Sequence, residues 1–171
     1  GTTLERTYNA WDVKNVTRFA KTNITTNSSF WDGGTFYKNQ SFNQDIGNWQ
    51  INTGSTVSVL GMFYEARAFN QDINTKVVTV GSENYVAWDV QKFNTFMRLF
   101  SGQSTGNMSF NSPIGNWNVT NRANMSSMFM NNTNFNQEIS ASIQTFKGQT
   151  YNAWYLENVT SIDFMFENAT S

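Results

Sequence analysis

The sequence predicts an α/β repeat protein, a solenoid of about five coils that each contain a strand, a turn and a short helix. A five-residue motif, which we call the phrase, first occurs as Phe42-Asn43-Gln44-Asp45-Ile46. It recurs in altered form from Phe69, Phe110 and Phe135. A tryptophan also recurs once per copy, at Trp11, Trp49, Trp88, Trp117 and Trp154. Repetition of one phrase is typical of stacked small units rather than of a pocket built around one residue.

The strand of each coil is predicted from the residues that follow tryptophan. Two positions after each tryptophan lies an apolar residue: Val13, Ile51, Val90, Val119 and Leu156. This alternation favours a short strand with one buried face.

The helix is predicted from apolar residues at offsets of three and four, as in Met125, Met128 and Phe129. That spacing places them on one face of a helix of two or three turns. So short a helix is unstable alone, so we expect neighbouring copies to bury it. The predicted repeat core is Phe42, Ile46, Trp49, Phe63, Phe69, Ile73, Trp88, Phe100, Phe110, Ile114, Trp117, Phe129, Phe135, Ile139, Trp154 and Phe166.

The asparagine of the recurring phrase is expected to form a ladder through the stack. Its members are Asn43, Asn70, Asn111 and Asn136. A buried asparagine side chain can bond the turn backbone of its own coil and of the adjacent coil.

Long and short copies alternate along the chain. The gap from the isoleucine of the phrase to the next tryptophan is three residues after Ile46 and Ile114, and fifteen after Ile73 and Ile139. The additions, which include residues 77–80 and 142–146, are predicted to form an extra strand or hairpin arm on each long coil.

We expect one domain over residues 1–171, with repeats starting near 1, 42, 69, 110 and 135. Both ends fall in mid-repeat, which suggests stacking with further copies through uncapped ends.

Composition argues against several functional classes. The net charge is −1 and no basic run is present, so nucleic-acid binding is not expected. No apolar stretch approaches the ~20 residues of a membrane span. The chain has no cysteine and no histidine, which removes disulfides, thiol nucleophiles and Cys/His zinc sites. We expect no cofactor.

A family resemblance rests on three motifs: Phe-Asn-Gln-Asp-Ile-Gly-Asn-Trp, Asn-Val-Thr, and Met-Phe-x-x-Ala at residues 62–66. They resemble the surface-protein repeat of mycoplasma lipoproteins and BspA-type adhesins, the DUF285-like family. The resemblance implies a leucine-rich-repeat-like solenoid and a role in surface display, adhesion or partner binding, and it implies no catalytic residues.

Two chemical alternatives rest on acidic residues. Asp45, Asp72 and Glu138 could be calcium ligands, but the fourth copy has Pro113 and the spacing of calcium loops is missing. A glycosidase would need paired carboxylates, for which the candidates are Asp12, Asp32, Asp89 and Asp163. These lie at repeat or loop positions, so neither a metal site nor an enzyme is expected.

Glycosylation is the strongest chemical signal. Asn-x-Ser/Thr sequons occur at Asn15, Asn23, Asn27, Asn39, Asn107, Asn118, Asn124, Asn131, Asn158 and Asn168.

The tyrosines of the long copies, Tyr8, Tyr85 and Tyr151, are the expected partner-facing rings. We therefore predict an extracellular protein of a cell or virion surface. It would be a stacked fibre or filament segment, or alternatively a monomeric adhesin that binds a host protein or glycan.

Overall fold

Regular elements in the structure, a computed structural model, are short. It describes residues 13–19, 33–51, 53–103, 108–120 and 123–170. The strands are β1 (Val57–Ser58), β2 (Lys76–Val80), β3 (Glu83–Ala87), β4 (Phe93–Thr95), β5 (Ser142–Phe146) and β6 (Gln149–Ala153). The predicted α/β class is wrong, because these ranges contain no α-helix and only one 3-10 helix, Leu156–Asn158.

Tight turns occupy the segments that were predicted to be helical. The N–H of Met128 bonds to the carbonyl of Met125 at 3.1 Å, whereas the next N–H, of Phe129, reaches the carbonyl of Met165 in the following copy at 2.9 Å. Left-handed backbone at Ser127 (φ 56°) and Asn131 (φ 62°) prevents a helix, which needs φ near −63° at every position. Each copy thus bonds alternately to itself and to its neighbour.

The apolar spacing is satisfied by these turns as well as by a helix. Met125, Met128 and Phe129 are fully buried, as the spacing requires. Successive i to i+3 turns also bring residues three or four apart to one side, so the pattern identifies the buried side but not the backbone conformation.

A row of parallel backbone pairing runs across the copies. β1 and β4 pair in parallel, and isolated parallel bridges join Arg18 to Ser58, Thr95 to Asn124, and Asn124 to Ser161. The strands predicted directly after the tryptophans are therefore misplaced, since β1 and β4 begin several residues further along the chain.

The core consists of stacked aromatic rings. One column contains Phe36, Phe63, Phe100, Phe129 and Phe166, with neighbouring centroids 5.3–5.7 Å apart. A second column runs through Phe42, Phe69, Phe110 and Phe135 at 5.7–6.1 Å. Of the predicted core, Phe42 and Ile139 are half-buried and Phe166 is 44% exposed, while the rest is buried. The stacking of equivalent rings means that each copy buries the next.

The additional residues of the long copies form antiparallel hairpins. β2 pairs with β3 in the first hairpin, and β5 pairs with β6 in the second. Two-residue turns with left-handed backbone at Gly81 (φ 61°), Lys147 (φ 50°) and Gly148 (φ 76°) close them, as such hairpins require.

Candidate functional site

The two hairpins occupy equivalent places in consecutive long copies. Tyr85 of the first hairpin donates its hydroxyl proton to the carbonyl of Asn48 at 2.6 Å, and Tyr151 of the second donates to the carbonyl of Asn116. Each hairpin is thereby fastened to the preceding short copy. Both tyrosines are half-buried, and the third expected ring, Tyr8, lies outside the described residues.

A groove of about 400 Å³ lies between the hairpins, and we call it the hairpin groove. Its lining is Thr75, Val86, Asp89, Gln91, Asn118, Phe146, Lys147, Gln149, Thr150 and Tyr151. The Lys147 ammonium donates to the backbone carbonyl of Asn84, which links the second hairpin to the first. Side chains from two long copies and one short copy thus form one surface.

The groove combines an aromatic wall with polar groups. The rings of Phe146 and Tyr151 stack with centroids 6.0 Å apart and planes 20° from parallel. Opposite charges are contributed by Asp89 and Lys147. The Asp89 carboxylate accepts hydrogen bonds from the side-chain amide of Gln91 at 2.7 Å and from its backbone N–H at 3.2 Å.

Burial governs the tyrosine chemistry of this region. The pKa of the Tyr151 hydroxyl is raised well above its ordinary value, first because burial disfavours the phenolate and second because Asp89 repels it. Burial alone raises the pKa of Tyr85. Both hydroxyls therefore remain protonated donors at neutral pH.

The comparisons with known proteins identify the repeat. The family model described as "Mycoplasma protein of unknown function, DUF285" matches residues 2–83 and again residues 75–171. The chain belongs to the DUF285 family. The resemblance drawn from the recurring phrase is thereby confirmed. No curated protein and no solved structure matches the chain.

The DUF285 repeat carries its asparagines at hydrogen-bonding positions between copies. The Oδ1 of Asn43 accepts the N–H of Asn70 at 2.9 Å, that of Asn70 accepts the N–H of Asn111 at 2.7 Å, and that of Asn111 accepts the N–H of Asn136 at 2.7 Å. Asn43, Asn70 and Asn136 are exposed and Asn111 is half-buried, so the ladder is not in the interior. They join successive copies along one edge of the stack.

The sequons of this DUF285 chain differ in accessibility. Asn15, Asn39, Asn158 and Asn168 are exposed, and Asn118 and Asn124 are half-buried. Asn131 is only 6% exposed, and its Nδ2 donates to the carbonyl of Gly102 at 2.8 Å. Asn23, Asn27 and Asn107 lie outside the described residues.

The acidic candidates are not brought together. Asp45 and Asp72 cap their own turns, through the N–H of Gly47 at 2.8 Å and of Asn74 at 2.9 Å. Glu138 accepts the N–H of Ser140, and bonding to Ser140 lowers the pKa of its carboxyl. Among the described residues no group of three or more acids could hold a metal ion.

The glycosidase candidates are similarly dispersed. Asp89 lies in the hairpin groove, whereas Asp163 accepts from Ser161 in the last copy. Asp12 and Asp32 lie outside the described residues. Within the described lining of the groove Asp89 is the single carboxylate, while glycoside hydrolysis ordinarily uses a pair.

Sequence reasoning singled out the arms and Tyr151 but missed most of the groove. The predicted partner surface does not include Phe146, Gln149 or Thr150, and Asp89 enters the predictions only as a glycosidase candidate. The available signal was the 66-residue offset between the hairpins, which aligns Phe146 with Val80 and Tyr151 with Tyr85.

The described residues form no helix that is long and apolar enough to cross a membrane.

Proposed function

We propose that this chain is an extracellular, non-enzymatic repeat protein of a cell or virion surface, in which the stacked copies form a scaffold and the hairpins make adhesive contacts. The observation that carries the proposal is the pair of hairpins in equivalent positions, linked to each other and enclosing one groove. Membership of the DUF285 family and the surface-protein resemblance of the repeat support the extracellular setting.

The hairpins are not required for stacking. In the short copies the tryptophan follows three positions after the isoleucine of the phrase, and these tryptophans are as buried as those of the long copies. The hairpins nevertheless expose apolar side chains: Val77 is 46% exposed, Val80 60% and Ile143 74%. Exposed apolar groups grouped on projecting elements are typical of interaction surfaces.

Bead attachment to animal-cell monolayers tests the adhesive role. We expect beads that carry the chain to attach, and beads that carry the triple variant V77S, V80S and I143S to attach several-fold less, because the contact area of the arms is lost. The matched control is L156S, since Leu156 is also exposed but lies outside the hairpins. Equal attachment of the triple variant and the unaltered chain would refute the role of the hairpins.

Assembly by stacking is a second candidate, and a specific observation favours it. Ile162 is 53% exposed and Phe166 44%, although the equivalent residues of the preceding copy, Met125 and Phe129, are fully buried. We call the surface formed by Ile162, Phe164 and Phe166 the end face. Ile162 and Phe166 are of the type that a further copy covers elsewhere in the stack, so another copy of this repeat is the partner that fits them.

Sedimentation velocity over a concentration series tests this candidate. We expect the unaltered chain to associate as concentration rises, and the I162S/F166S variant to remain monomeric because the apolar contact of the end face is removed. I143S provides the control, since it removes an exposed isoleucine from a hairpin instead. A chain that stays monomeric at the highest concentration contradicts assembly through this face.

Glycosylation belongs to the proposal only at accessible sequons. On secretion from a eukaryotic host, we expect glycopeptide mass spectrometry of the folded protein to find glycan at Asn158 and none at Asn131. A glycan at Asn131 would replace one hydrogen of the Nδ2 group that donates to Gly102, and its first sugar would have to fit where the side chain is only 6% exposed. Occupancy of Asn131 in folded, monodisperse protein would contradict the buried position of its amide.

A further inference from the structure

The hairpin groove has the chemistry of a carbohydrate site. Its lining presents the Phe146 ring together with three carboxamides, the hydroxyls of Thr75, Thr150 and Tyr151, and one carboxylate. An aromatic face packs against the C–H face of a sugar ring, while amide and carboxylate groups bond to the hydroxyls at the ring edge.

The charges of the groove favour an uncharged ligand. Asp89 and Lys147 oppose each other in sign, and the lining contains no second cation among the described residues. The Lys147 ammonium is already engaged with the Asn84 carbonyl, which reduces its availability to an anion. A phosphate or sulfate group would meet one shared ammonium and one repelling carboxylate, whereas a neutral hydroxyl can bond to either.

The dimensions of the groove suit a short oligosaccharide. Small-ligand sites are commonly clefts of about 300–1,000 Å³ with a few placed polar groups, and the hairpin groove lies within that range at about 400 Å³. Two of its polar side chains are held in place: Gln91 is bonded to Asp89, and Tyr151 to the carbonyl of Asn116. Side chains held in this way lose little freedom when a ligand binds.

We propose that the hairpin groove binds an uncharged oligosaccharide, with a sugar ring against Phe146 and its hydroxyls on Asp89, Gln91 and Gln149. This inference rests on the proposed adhesive role of the hairpins and specifies the class of their partner. The scaffold fixes the distance between the two walls, so the ligand enters a site that is already formed.

The test is a glycan array followed by calorimetric titration of the intact chain with neutral and anionic oligosaccharides. We expect neutral oligosaccharides to bind, and F146A to weaken that binding about tenfold because the stacking surface is lost. D89N should weaken it by a similar factor, since a charged acceptor becomes a neutral one. The controls are Y155A, which removes an exposed aromatic ring outside the groove, and D163N, which neutralises a carboxylate of the last copy, and both should change affinity less than twofold.

Other outcomes overturn the inference and separate it from the adhesive role. Exclusive binding of anionic glycans that is abolished by K147A, equal binding by F146A and the unaltered chain, or no binding on the array would each refute a neutral-sugar site. Bead attachment then decides the broader question. If attachment survives enzymatic removal of cell-surface sugars but still requires the hairpins, the arms bind protein. If the triple hairpin variant attaches normally, the adhesive role fails as well.

Discussion

Replacement of Phe100 by alanine is expected to destabilise the fold by about 3–5 kcal/mol, the range for truncating a large buried aromatic. Phe100 is fully buried in the first aromatic column, with its centroid 3.7 Å from that of Phe110 in the second column and 5.7 Å from those of Phe63 and Phe129. Neighbouring copies cannot close over the cavity without losing their own stacking. Urea unfolding monitored by near-ultraviolet circular dichroism measures the change.

The control for this substitution is F164A. Phe164 lies in the corresponding turn of the last copy but is 66% exposed, so its truncation should change stability by no more than about 0.5 kcal/mol. Similar losses for F100A and F164A would contradict the stacked core.

Replacement of Trp117 by phenylalanine is expected to cost about 2–4 kcal/mol, because a cavity and an unsatisfied carbonyl are created together. The buried indole Nε1 of Trp117 donates to the carbonyl of Ile73 at 3.0 Å, across 44 residues of chain. The same bond recurs from Trp88 to Ile46 and from Trp154 to Ile114, each at 2.8 Å. The tryptophans therefore fasten each copy to the preceding phrase, in addition to filling the core.

Thermal and urea unfolding of W117F measure this effect. Y155F is the matched aromatic control, because Tyr155 is 44% exposed and should tolerate the change within about 0.5 kcal/mol. A loss below about 1 kcal/mol for W117F would indicate that the indole bond to Ile73 is solvated or absent.

The sequence identifies the buried positions better than the backbone that carries them. The Phe, Ile and Trp of the repeat are mostly buried because their side chains pack against the neighbouring copies of the stack. The helix prediction was wrong because tight turns produce the same spacing of buried apolar residues. Left-handed backbone at Arg98 (φ 56°) and Ser127 (φ 56°) falls on residues that are not glycine, so composition gives no warning of the turns.

The candidate site is less accessible to sequence reasoning than the core. The fifteen-residue gaps drew attention to the arms, and the paired Tyr85 and Tyr151 marked them as equivalent. The hairpin groove itself depends on how far one hairpin stands from the next and on which side chains face the space between them. Asp89 and Phe146 are 57 positions apart and line the same groove because an intervening copy sets the spacing of the hairpins.

Cysteine cross-linking tests most directly whether the two hairpins form one surface. The chain has no cysteine, so N84C/K147C introduces a single defined pair. A short bismaleimide should join this pair within the monomer much faster than it joins the control pair N84C/K38C, since Lys38 lies in the turn of another copy. Cross-linking no faster than in the control would mean that the hairpins stand apart, and the hairpin groove would not exist as a binding site.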